Sequence, residues 1–382
     1  MISFEEPLRW DPYFIRCGKE FETFWNSYLL KKNTNILYIL GGGFDPRMCI
    51  GIYSIFQIKG SGIRDCMLIC YDEGSSSPSK EHFMSLDINK AKLKLLIERE
   101  PIIRKIQMWS SESDANRRRV GSQKAADIFK QISELEKYDD IIIDISSMPK
   151  GVYFPLIIKV LSILDRSHKE QNKTPNLHVI VSEDAELDSR IREIGLDENV
   201  NYIPGFSEEL NSEATSEVPK VWFPILGEGK LGQLKRIYDH ILPDEICPIL
   251  PSPSSNPRIG DKLLIDYRRL IFDEWRVDTK NIIYSNEKNP FETYRQLIQA
   301  IYHYRNALSP LSGCKPVISA VSSKLISLGA LLAAYDLKLN KGINVDLVNI
   351  EAQGYEIIKP EEDIPDNSQL FTLLLKGEDD DS

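Results

Sequence analysis

Asp139-Asp140-Ile141-Ile142-Ile143-Asp144-Ile145-Ser146-Ser147-Met148-Pro149-Lys150-Gly151 decides the fold class. Its first half is a short, Ile-rich run of the kind buried on both faces of a parallel sheet, and it stops abruptly in small polar residues. Pro149 suits the first turn of a helix, where its missing amide hydrogen is no loss, and the apolar residues 152–164 predict that helix. Ser146, Ser147 and Lys150 therefore fall in a strand-to-helix turn. In an open α/β sheet such turns line the carboxyl edge, where ligands bind, and the amides of a helix start favour an anion. The turn points to a phosphate or nucleotide ligand; a Ser-rich helix cap beside a solvated lysine is the plainer alternative.

Upstream, strands are predicted over residues 35–40, 65–71 and 102–109, and downstream over 176–181. Helical patterns separate them, and an amphipathic helix over residues 11–30 leads the chain. Strands that alternate with helices indicate a parallel, doubly wound sheet. The first strand runs into Gly41-Gly42-Gly43-Phe44-Asp45-Pro46-Arg47. Gly42 and Gly43 permit close backbone approach to a ligand, and Arg47 near a helix start is placed to pair with phosphate. The second strand ends in Asp72-Glu73-Gly74, where two carboxylates suit a ribose hydroxyl or a metal, or simply a turn.

Residues 204–219 are polar and acidic, the composition of a linker. After them the pattern starts again, with strands over 221–226, 245–250, 281–284, 316–321 and 344–350. Each half carries a glycine-rich turn after its first strand, a serine-rich turn after its second, and a Ser-Ser turn with lysine after its fourth. In the second half these supply Gly229 and Lys230, then Ser322, Ser323 and Lys324. The expected architecture is α/β: two tandem Rossmann-like, doubly wound parallel sheets related by internal duplication. The expected domains are 1–203, 220–358 and an acidic tail over 359–382 that holds one further strand at 370–376. Two like domains back to back would place their carboxyl edges around a shared cleft.

Composition narrows the function. A net charge of -10 argues against duplex nucleic acid as the main ligand, because gripping it needs a net basic face. Arg117-Arg118-Arg119, the densest cationic run, fits a solvated surface better than a groove. The six cysteines lie apart with no CxxC pair, so reduced core thiols are expected rather than disulfides or a zinc cluster. No basic leader precedes an apolar run, and no stretch approaches the roughly 18 apolar residues of a membrane span, so a cytoplasmic protein is expected. P-loop, HExxH and GxSxG motifs are absent, and neither a cofactor nor a resident metal is expected.

Two family resemblances bear on this. GGGFDPR is similar to the GGTFDP opening of nucleotidylyltransferases, but their HxGH pair is missing: Arg47, Met48, Cys49 and Ile50 follow instead. Asp144, Ser146 and Lys150 resemble the signature of CRISPR-associated Rossmann-fold (CARF) domains, which is Asp or Asn, any residue, Ser or Thr, any three residues, then Arg or Lys, after the fourth strand. The related SAVED sensors fuse two such units in one chain. The second half departs from the pattern, with Ala320 in place of the Asp, Ile326 in place of the basic residue, and Lys324 two positions early.

The resemblance implies binding of a cyclic or linear oligonucleotide messenger and an antiviral setting. No separate effector domain fits in the chain, which implies a protein effector partner. Lys150, Lys324, Lys230 and Arg47 would then neutralise phosphates, with Asp72 or Asp144 on sugar or base, or Asp144 orienting Lys150. A phosphodiester-cleaving enzyme is the alternative, in which Asp45, Asp72 and Glu73 would hold any metal. A scaffold subunit is the third reading.

Overall fold

The computed structural model describes residues 7–31, 33–74, 77, 82–110, 118–170, 173–207, 217–254, 256–358 and 367–377. It divides into two bodies, one formed by residues 12–195 with 352–382, the other by residues 1–11 with 196–351. In chain order the first body holds strands β1 (Phe14–Cys17), β2 (Ile36–Gly42), β3 (Arg64–Asp72), β4 (Ile102–Gln107), β5 (Asp140–Asp144), β6 (Asn176–Glu183) and β7 (Ile191–Leu196). The second holds β8 (Asn201–Tyr202), β9 (Lys220–Ile225), β10 (Glu245–Ile246), β11 (Ile249–Pro251), β12 (Ile283–Ser285), β13 (Lys315–Ala320) and β14 (Asp346–Asn349). The chain then returns to the first body with β15 (Ala352–Ile357) and β16 (Gln369–Lys376).

Both sheets are built the same way. The first runs β1-β16-β6-β5-β2-β3-β4 and the second β12-β11-β9-β13-β14-β8. Numbered within each body, the parallel strands follow the order 3-2-1-4-5, and an antiparallel strand closes the fifth: β16 beside β6, β8 beside β14. This shared order agrees with the two doubly wound sheets that the repeated turn pattern led us to expect, and it is the Rossmann arrangement. The central strands are buried throughout because helices cover both faces: β2 and β5 have no exposed residue, and only the two ends of β5, Asp140 and Asp144, are charged.

Several elements depart from the sequence reading. The leading helix begins only at Lys19, because Gly18 turns the chain at φ +54° and Phe14–Cys17 pairs antiparallel with β16. Gln369–Lys376 is an interior strand between β1 and β6, so the expected acidic tail contributes to the first core. Residues 7–11 belong to the second body, where Trp10 meets Tyr294 edge-on at 5.1 Å and the Arg9 amide donates to the Tyr294 hydroxyl at 3.0 Å. The chain changes body at 195/196, and the expected linker lies mostly outside the described residues, which resume at 217. The expected strand over 245–250 is split into β10 and β11 around Pro248, which has no amide hydrogen to give the ladder.

All six cysteines are free thiols, four of them buried. Among the described residues no helix is long and apolar enough to cross a membrane.

Candidate functional site

Strand order reverses between β2 and β5 in the first body and between β9 and β13 in the second. The turns leaving these strands at their carboxyl ends form the crevice where open α/β sheets hold ligands. Both crevices are built by a glycine that lets the turn after the fourth parallel strand lie against the first strand.

In the first body that glycine is Gly41. A Cβ there would collide with the Tyr71 hydroxyl and stand 2.9 Å from Met148 Cγ and 3.0 Å from the Ser147 carbonyl oxygen. The Ser147 hydroxyl donates to the Gly41 carbonyl at 2.7 Å, which fixes the turn on the strand. Gly43 lies against the same serine, 3.4 Å from its carbonyl by the same measure, whereas Gly42 faces the backbone of β3 at Ile69.

Asp144 and Ser146 face inward. Asp144 is buried, accepts the Tyr38 hydroxyl at 2.6 Å through Oδ2, and accepts the Ser146 amide at 2.9 Å through Oδ1. Ser146 is also buried, and its hydroxyl oxygen accepts the Ser182 amide at 2.8 Å. Burial, reinforced by the Asp144 carboxylate, holds the Tyr38 phenol well above its ordinary pKa, so it stays a donor. These residues shape the turn from beneath. Replacing Asp144 with Asn keeps its volume but leaves a neutral acceptor; we expect a loss of about 1–2 kcal/mol of stability in urea unfolding, and an unchanged midpoint would contradict the assignment.

Ser147 and Lys150 are half-buried. Pro149 is the N-cap residue, and Lys150 is the first residue of helix α5 (Lys150–Lys169). No acidic residue accompanies it in the first turn. A cation there opposes the helix dipole, which favours negative charge at that end.

Arg47, expected to meet phosphate, is instead 2% exposed and committed to carboxylates. Its Nη2 lies 2.8 Å from Asp45 Oδ2, and its Nη1 lies 2.8 Å from Asp188 Oδ1 on helix α6 (Ala185–Arg190). Burial pulls its pKa down, but Asp45 and Asp188 more than offset that and hold it above its ordinary value. Asn89 donates to the carbonyls of Gly43 and Asp45, at 3.0 and 2.9 Å, and so pins the loop from the other side. Arg47→Ala should therefore destabilise the first body by about 3 kcal/mol in denaturant unfolding, since it strands a buried carboxylate. A wild-type midpoint would show the pair to be dispensable.

Asp72 and Glu73 close local turns, Asp72 accepting the Gly74 amide at 3.1 Å and Glu73 the Ser77 hydroxyl at 2.5 Å. With Asp45 they make no metal cluster: among the described residues no group of three or more His, Cys, Asp or Glu side chains is placed to hold an ion. In the cationic run, Arg117 is outside the described residues and Arg119 lies over the Trp109 ring at 4.5 Å.

In the second body the close-packed glycine is Gly227. A Cβ there would collide with the Val321 carbonyl and stand 3.0 Å from Ser322 Cα. Gly229 turns the chain at φ +70°, and the following Lys230 amide donates to the Tyr267 hydroxyl at 2.8 Å, which itself donates to the Gly227 carbonyl at 2.6 Å. Ser323 is the N-cap residue of helix α10 (Lys324–Leu339), but its side chain forms no capping bond. Its Oγ is buried with no hydrogen-bond partner among the described residues. Ser327 bonds back to this turn, its hydroxyl to the Ser322 carbonyl at 3.2 Å.

The two lysines occupy the same place. Between β5 and α5 stand five residues, Ile145 to Pro149; between β13 and α10 stand three, Val321 to Ser323. The turn in the second body is two residues shorter, so Lys324, two positions early in the sequence pattern, is also the first residue of its helix. It too has no acidic neighbour in the first turn. Ala320 ends β13 as Asp144 ends β5, so the inward carboxylate has no counterpart there.

Tyr38, Tyr71, Asn89 and Tyr267 were not among the candidates. Each sits in an apolar run or a helical pattern, where a tyrosine or asparagine reads as core or surface, and only the spatial convergence of the turns reveals it.

No protein-family model matches this chain, and no curated protein matches it in sequence. Among solved structures, a type III CRISPR defence DNA nuclease activated by cyclic oligoadenylate aligns over 86% of this chain and 68% of its own, with 10% identity and a TM-score of 0.43. A functionally unknown protein from Pseudomonas aeruginosa PAO1 aligns over 83% of this chain and 92% of its own, with 10% identity and a TM-score of 0.21. Similarities this distant leave the functional reading to the site's own residues.

Proposed function

We propose that this chain is a nucleotide-binding sensor subunit with one phosphate-binding half-site in each body, and that its ligand is of the oligonucleotide-messenger class. The observation that carries the reading is the paired placement of Lys150 and Lys324. Each opens the long helix after the fourth parallel strand, beside a glycine-lined strand end at the point where strand order reverses. A lysine at that position and the helix-start amides beside it are both suited to the same anion. The likeness of Asp144, Ser146 and Lys150 to the CARF signature extends the reading to a prokaryotic antiviral setting with a separate protein effector.

Binding rather than cleavage is favoured by the state of Ser146. It is buried with its oxygen accepting the Ser182 amide, so it is not presented as a nucleophile. A thermal-shift screen of mono-, di- and oligonucleotides, linear and cyclic, tests the reading. A ligand at about 100 times its Kd should stabilise its body by about 2.7 kcal/mol, a shift of several degrees. No shift with any nucleotide at high micromolar concentration would overturn the proposal and favour a scaffold role.

A further inference from the structure

Tyr71 is the next-to-last residue of β3, and its hydroxyl is buried with no hydrogen-bond partner among the described residues. Three other tyrosines of this body's core are satisfied by carboxylates: Tyr28 donates to Asp140 at 3.0 Å, Tyr38 to Asp144 at 2.6 Å and Tyr138 to Asp65 at 2.7 Å. A buried hydroxyl left without a partner is destabilising, so phenylalanine would serve packing better at position 71. The hydroxyl is also not in an arbitrary place. It occupies the space a Cβ at Gly41 would need, and that same point is 3.0 Å from the Ser147 carbonyl in the turn that leads to Lys150. The unpaired donor therefore stands where β2, β3 and the turn before α5 converge. Burial, with Cys70 and Glu73 nearby, raises the phenol's pKa, which keeps its proton in place at neutral pH.

We infer that Tyr71 is a ligand-binding residue of the first half-site, its hydroxyl donating to a phosphoryl oxygen of the bound nucleotide. The inference rests on the nucleotide reading above and adds a donor that the motif does not contain. It also assigns Gly41 a function, which is to leave room for that hydroxyl beneath the ligand.

Tyr71→Phe tests this with two measurements, set beside Lys150→Ala, with cyclic and linear oligoadenylates as probes. Without ligand, the variant should unfold at or above the wild-type temperature, because it loses an unsatisfied hydroxyl and no bond. With ligand, its Kd should rise about 10-fold, the effect of one hydrogen bond to a charged group. A lower unfolding temperature without ligand would show that the hydroxyl has a structural partner, and would overturn the inference whatever the ligand does. A wild-type Kd in Tyr71→Phe alongside a weakened Lys150→Ala would overturn it while leaving the nucleotide reading intact. Failure of the wild-type protein to bind any probe would overturn both.

Discussion

Lys150→Ala is expected to weaken nucleotide binding by about 10- to 150-fold and to leave the first body folded. The size follows from one charge-assisted contact to phosphate, about 1.5–3 kcal/mol. Unimpaired folding follows from where the lysine sits. The face of α5 that enters the core is carried by Val152, Tyr153, Leu156, Ile157 and Val160, whereas Lys150 is only half-buried. The unfavourable placement of a cation at the positive end of a helix, about 0.3–1 kcal/mol, offsets part of whatever the side chain contributes, so the ligand-free variant should stay folded with a stability close to that of the wild type. Lys324→Ala should act in the same way on the second half-site, and the double variant should give no measurable heat in a calorimetric titration. Wild-type affinity in the double variant would mean that the helix starts do not hold the phosphates.

The second large effect concerns folding. A chain ended after Ile358 lacks β16, and its first body should not fold cooperatively. β16 lies between β1 and β6, so its loss removes both ladders and exposes the edge of β6. It also removes Leu370, Phe371, Leu373 and Leu375 from the core, at about 1.5–3 kcal/mol for each fully buried side chain. The sum is comparable with the whole stability of an ordinary domain, about 5–15 kcal/mol. Far- and near-ultraviolet circular dichroism of the shortened chain would show the second body's signal without that of the first. A cooperative transition for both bodies would contradict the assignment of β16 to the first core.

What could be read in the sequence was local. The buried run Ile141–Ile143, the glycines after the first strand of each half and the serines after the fourth are short-range signals, and they were enough to foresee two parallel sheets and the position of the turns. What could not be read depends on partners far along the chain. Phe14–Cys17 is a strand because Gln369–Lys376 lies beside it, and in isolation its neighbourhood has the spacing of a helix. The small residues of the motif divide in a similar way. Lys150 is half-buried at the start of its helix, whereas Asp144 is drawn inward by the Tyr38 hydroxyl, a residue 106 positions away in the chain. Arg47 looked like a phosphate ligand beside glycines, but Asp188 reaches it from a helix whose existence the local pattern did not disclose. Lys324 illustrates the reverse case. Counting along the chain placed it out of register, and the shorter turn of the second body brings it back to the equivalent helical position.

The central claim is that the two lysine-headed turns hold the phosphates of a nucleotide. Native mass spectrometry of the freshly purified protein, titrated with cyclic and linear oligoadenylates and with mononucleotides, tests it most directly. The account predicts a nucleotide adduct on the wild-type chain that is reduced in Lys150→Ala and in Lys324→Ala and absent from the double variant. An adduct of equal abundance in all four proteins, or none in the wild type at high micromolar nucleotide, would contradict it.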